Sequence, residues 1–157
     1  MKRIVAILVF GVWYTISAHA ANCVTFSNKY KCFSGNENTA FLVKIMKSAG
    51  ETPSYQMQVS RSSQTEEYRI LANGKETKVD GGSPGYKKFR SADCDPDSLT
   101  VRTREVALQS DAQTLRVENY KTLAGGRAIG YSLTTTITSS GSNPVSATES
   151  LFCTVQH

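Results

Sequence analysis

From Tyr86 to Arg90 the chain alternates cations with aromatics, Tyr86-Lys87-Lys88-Phe89-Arg90, a pattern suited to holding an anion against a strand. In a strand, alternate side chains share a face. Tyr86, Lys88 and Arg90 then lie on one side, Lys87 and Phe89 on the other. With Phe89 turned inward, Lys88 and Arg90 form an exposed basic row. A turn centred near Ser110 sets Arg104 opposite Arg116 and Arg102 opposite Glu118. The second pair is an ordinary cross-strand ion pair; the first is a like-charge contact that an intervening anion would relieve. Lys88, Arg90, Arg104 and Arg116 are therefore the candidate contact for an anionic partner, whether glycan, lipid headgroup or acidic protein. The plain alternative is a solvated strand face whose charge discourages edge pairing.

Other chemistries find less support. The chain has 2 histidines, His19 and the terminal His157, whereas nucleophilic triads need an imidazole held beside the nucleophile. Histidine-ligated metal centres fail for the same reason. A carboxylate pair of the glycosidase kind survives among the 13 acidic residues; a Ser–Lys pair also survives, but without a Ser-x-x-Lys spacing. Asp93-Cys94-Asp95-Pro96-Asp97 resembles the opening of a calcium loop, yet Ser98 and Arg104 stand where that loop needs Gly and Glu. A tight Asp-Pro turn is expected there instead. Tyr55, Met57, Tyr68, Ile70, Tyr131 and Leu133 would line the lumen of a small-ligand carrier, and would equally fill a core. No cofactor or metal is expected.

The elements that position these residues begin beyond residue 20. Lys2 and Arg3, an apolar run over Ile4–Ile16 and Ala18-His19-Ala20 have the form of a cleaved secretory leader over residues 1–20. A single β domain over 21–157 follows. Taking Lys2 and Arg3 from the 18 basic residues, against 13 acidic, leaves a net charge of about +3. That is too mild to demand nucleic acid. Trp13, the one tryptophan, falls in the leader. Asn22 before Cys23 argues against lipid attachment. Export places Cys23, Cys32, Cys94 and Cys153 where thiols oxidise. Four cysteines allow three pairings; proximity in sequence favours Cys23–Cys32 and Cys94–Cys153.

Strand patterns fill the rest. Phe41/Val43/Ile45 alternate with Leu42, Lys44 and Met46, and Tyr55/Met57/Val59 with Gln56, Gln58 and Ser60. Tyr68, Ile70 and Ala72 lead into Asn73-Gly74 and then Glu76–Val79, the strongest hairpin signal in the chain. Leu99, Val101 and Thr103 share a face that Val106 and Leu108 leave, which a β-bulge near Arg104-Glu105 would explain. Ile129, Tyr131, Leu133, Thr135 and Ile137 mark one long strand, and Val145–Val155 the last, with Glu149 on its inner parity. Eight or nine strands with short connections make an all-β antiparallel barrel or strongly curved meander; a two-sheet sandwich is the alternative. The polar strand faces offer no apolar outer band for a transmembrane barrel.

Tyr30-x-Cys32-x-x-Gly35 in a β-rich, disulfide-closed exported chain resembles small periplasmic inhibitors of lysozyme over six residues. The Ser-Gly-x-x-Tyr loop of those inhibitors is absent: Ser83-Pro84-Gly85-Tyr86 has a different order. No site residue is carried over. The expectation is a periplasmic or secreted bacterial protein that binds an anionic envelope component or acidic protein without catalysis. The alternatives are a hydrolase using carboxylates or a Ser–Lys pair, and a carrier of a small apolar ligand.

Overall fold

The computed structural model describes residues 23–26, 28–33 and 39–156. The leader reading of residues 1–20 lies outside them. Ten antiparallel strands form one curled sheet, a half-barrel: β1 (Lys29–Phe33), β2 (Thr39–Ser48), β3 (Ser54–Arg61), β4 (Gln64–Leu71), β5 (Thr77–Val79), β6 (Tyr86–Cys94), β7 (Ser98–Ala107), β8 (Gln113–Leu123), β9 (Ala128–Thr138) and β10 (Val145–Val155). Their order is β4-β3-β2-β1-β10-β9-β8-β7-β6-β5. The first and last strands therefore pair in the middle, while the chain crosses from one edge of the sheet to the other between β4 and β5. A single curled sheet replaces the sandwich alternative. The strand beyond the expected eight or nine is β1, whose short Cys32-bearing run reads as loop.

That strand also explains the disulfides. The bonds are Cys23–Cys94 and Cys32–Cys153, not the sequence-adjacent pairing. Cys32 lies opposite Cys153 in the β1–β10 ladder, so two cysteines 121 positions apart in sequence become cross-strand neighbours. Cys23 ties the extended N-terminal segment to the end of β6.

The Asn73-Gly74 hairpin is not formed. β5 pairs with β6, and β4 pairs only with β3. Asn73-Gly74 instead serves the crossover: Gly74 has φ +71°, and a Cβ there would come within 2.8 Å of the Asp93 carboxylate. The Gly74 N–H donates to the Ala92 carbonyl at 2.9 Å. Local chemistry specified the turn; sheet topology decided what the turn connects.

One end of the curled sheet is sealed. Tyr30, Tyr55, Tyr120, Ile45, Met57, Leu99, Ile129 and Val43 point inward and are fully buried. Phe26 closes over them, edge-on to Tyr30 and Tyr55 at 6.4 and 6.3 Å between ring centres. Val24 N–H donates to the Asp95 carbonyl, and the Tyr55 hydroxyl donates to the Val24 carbonyl at 2.6 Å. Burial pushes the Tyr55 hydroxyl up to about 12, with the nearby Asp95 charge adding to it. Each buried aromatic contributes on the order of a few kcal/mol.

The other end changes character. Leu99, Val101 and Thr103 face inward along β7, but the register with β6 and β8 runs on without interruption. The expected bulge near Arg104-Glu105 is absent. Above Thr103 the inner face is polar, so Glu105 takes the inward position while Val106 and Leu108 lie outside, Leu108 at 56% exposure. The one irregularity in a ladder with β1 falls between Cys32 and Phe33. Among the described residues β1 pairs with β10 only from Phe152 to Val155. Among the described residues the upper half of β10 pairs with β9, and Glu149, opposite Leu133, is exposed.

Candidate functional site

The polar end of the concave face forms a cleft of about 330 Å³ lined by Arg61, Glu66, Lys88, Arg90, Thr103, Arg116, Glu118, Leu133 and Thr135. Strand parity assembles it. Arg61 extends the inward series Tyr55, Met57, Val59 by one step along β3. Glu66 does the same on β4 below Ile70 and Tyr68. In β6, Lys88 and Arg90 are inward; Phe89 is not. Across the sheet, Arg90 pairs with Thr103, Thr103 with Arg116, and Arg116 with Thr135, giving one continuous row.

Arg90 is the most buried charge, 6% exposed. Its guanidinium lies 3.7 Å over the Tyr68 ring centre, donates through Nε to Thr103 Oγ1 at 3.3 Å, and through Nη2 to Glu66 Oε1 at 2.6 Å. Lys88 Nζ reaches the same oxygen at 3.1 Å. These contacts join β4 to β6 across a seam where, among the described residues, no backbone ladder runs. Burial on its own would raise the Glu66 carboxyl. Hydrogen bonds and charge from Arg90, then Lys88, outweigh it and hold the pKa below the ordinary 4.5.

A second link spans the interior. Arg61 Nη2 donates to Glu118 Oε1 at 2.8 Å and to the Tyr131 hydroxyl oxygen at 3.0 Å, while the Tyr131 hydroxyl donates to Glu118 Oε1 at 2.9 Å. Phe41, Tyr131 and Tyr120 make an aromatic floor, with centroids 4.7 and 5.2 Å apart. The Arg61 guanidinium lies 4.9 Å from the Phe41 ring centre. Burial first, and the Glu118 charge second, raise the Tyr131 and Tyr120 hydroxyls well above their ordinary value, keeping both protonated donors. Arg116 is exposed at the mouth and has no ion-pair partner among the described residues.

The four residues expected as a basic patch therefore divide. Lys88, Arg90 and Arg116 share the concave cleft. Arg104 lies on the opposite, convex face, bound to Glu76 through Nε at 3.0 Å and resting 4.7 Å from the Phe89 ring centre. The β7–β8 register sets Arg104 against Leu115 and Arg116 against Thr103, one residue from the expected pairing. Arg102 consequently bonds Asp93 rather than Glu118. Arg61 and Glu66 are the residues that sequence reasoning missed; the parity of their own strands was the signal.

Other candidates resolve more plainly. Asp95 accepts from the Ser98 N–H and hydroxyl, both at 2.7 Å, and from the Asp97 N–H, which is a capped turn. Those bonds, the Ser98 hydroxyl first, lower its pKa. Tyr55, Met57, Ile70 and Tyr131 pack in the buried core, with Tyr68 and Leu133 against it. Glu66 and Glu118 do line the same cleft, but Glu66 is held ionised, the reverse of what a general acid needs. Among the described residues no helix is long and apolar enough to cross a membrane. No protein-family model, curated protein or solved structure matches this chain. Its class is set by geometry alone: an all-β, doubly cross-linked half-barrel with a charged concave cleft.

Proposed function

We propose that this chain is an exported, non-enzymatic binding protein of the cell envelope that captures an anionic group of its partner in the concave cleft. One observation carries the reading: Arg61, Lys88, Arg90 and Arg116 line the cleft against only Glu66 and Glu118. A cleft in which one sign of charge is in excess raises the local concentration of the opposite sign. Arg61 and Arg90, fixed by aromatic faces and hydroxyls, are already oriented, so less entropy is lost on binding. Two disulfides suit an oxidising compartment, and the leader-like residues 1–20 supply the route.

The test measures retention on dextran sulfate and on polyglutamate, eluted by a salt gradient. Arg116→Gln in the cleft should elute at lower salt than the native protein, whereas Arg104→Gln on the convex face should not. Equal shifts for both variants would reduce the interaction to net charge and overturn the cleft as the site.

A further inference from the structure

We propose that the Glu66 carboxylate is a displaceable internal anion, standing where a phosphate or sulfate group of the ligand binds. The inference rests on the anion-binding reading of the same cleft, and gives it a ligand class and a gate.

The clasp is asymmetric. Its cations are held inside, the Lys88 and Arg90 side chains being 13% and 6% exposed, while the Glu66 side chain is 48% exposed. Arg90 keeps its place by the Tyr68 face and the Thr103 hydroxyl without Glu66. Glu66 projects from β4, which among the described residues is a terminal strand with a backbone neighbour on one side. When the pair opens, the exposed carboxylate on the edge strand is the member that moves. Opening without a replacement is unfavourable, because two largely buried cations lose their counter-charge. A ligand anion removes that penalty.

The donor set left behind fits a tetrahedral dianion. Arg90 and Arg116 flank Thr103 in the cross-strand row, so their Cα atoms are two strand spacings apart, about 10 Å. Arg90 already contacts the Thr103 hydroxyl, and an arginine side chain is long enough for Arg116 to turn in toward the same point when an anion binds. Lys88 adds a third cation one step further along β6, and Thr135 a second hydroxyl beyond Arg116. Three cations around one group call for double charge and several acceptor oxygens. A carboxylate offers one charge and two oxygens, which is what Glu66 itself supplies. There is room for the rest of the ligand as well. The clasp residues Glu66, Lys88 and Arg90, with Arg61, also line a second cavity of about 630 Å³ on the far side of the seam. Swinging Glu66 aside joins the two into one trough between β4 and β6.

A built-in competitor lowers apparent affinity by the fraction of time it occupies the site, so its neutral isostere should bind roughly tenfold tighter. Calorimetric titration of the oxidised protein with sodium phosphate, sodium sulfate and sodium acetate reads this directly. Glu66→Gln should gain about tenfold in affinity for phosphate and sulfate with little gain for acetate. It should melt below the native protein in buffer alone and recover when saturated with sulfate. Glu66→Asp, too short to hold both cations, should fall between the two, and decides the question if Glu66→Gln fails to fold. A preference for phosphate points to a phosphorylated lipid or sugar, a preference for sulfate to a sulfated glycan. Unchanged or weaker oxyanion binding in both variants, with native binding still lost in Arg116→Gln, overturns the gate while leaving the cleft standing. Equal gains for acetate overturn the ligand class. Indifference of every protein to all three anions removes the anion-binding reading itself.

Discussion

Two of the joins that hold the sheet together work by opposite means. Where β1 meets β10, backbone ladder and the Cys32–Cys153 bond join the two strands. Where β4 faces β6, side chains alone make the join: Glu66 with Lys88 and Arg90, and Tyr68 beneath the Arg90 guanidinium. A covalent seam cannot answer to a ligand. An ionic one can, since its strength depends on salt, pH and competing charge. The contrast separates the part of the molecule that maintains shape from the part able to respond.

Cutting each seam should give effects of different size. Replacing Cys32 and Cys153 by alanine frees a loop with a separation of 121 residues; the chain-entropy estimate for such a bond is roughly 5 kcal/mol, to be read from urea unfolding. Arg90→Gln removes the buried member of the ionic seam, and should cost about 1–3 kcal/mol in the same assay because Glu66 and Tyr68 lose their partner. A loss as large as that of the cysteine variant would erase the distinction. The smallest effect concerns acid. A carboxyl with a depressed folded-state pKa contributes stability above its unfolded value, and that contribution disappears as pH falls through the folded one. For Glu66 the loss therefore begins below about 4.5 and continues downward. Glu66→Gln should flatten the decline measured from about pH 6 to pH 3, leaving the part due to Glu76 and Asp95, whose pKa values are also lowered. An identical decline in both proteins would show that the ionic seam does not sense protons.

The sealed half of the molecule was readable because its residues obey one rule. Phe41, Val43, Ile45, Met57, Leu99 and Ile129 are large apolar residues at the alternate positions of their strands, and all face in. The same rule misleads in the open half, where the inward positions belong to Lys88, Arg90, Glu105 and Arg116. There it turned Phe89 the wrong way and asked for a bulge in β7. Sequence and pattern part company where the inner face stops being a core, the expected place for a functional region. Arg61 and Glu66 were hidden differently. Each sits next to the β3–β4 turn, amid Ser62-Ser63-Gln64-Thr65, and so reads as solvated hairpin until strand parity is carried through to its last residue. The crossover through Asn73-Gly74 could not be foreseen, because pairing across the sheet is set by partners far away in sequence rather than by the turn.

The interleaved cystines (first with third, second with fourth) carry a cost in assembly. Cys23 has Cys32 only nine positions away along the chain, and short loops close soonest. An oxidant acting on the newly made chain would capture that neighbour first, and the bond so formed would keep β1 from lying along β10. Reaching the mature arrangement then requires thiolate attack and reshuffling, so the protein's yield should depend on a disulfide isomerase as well as on an oxidant.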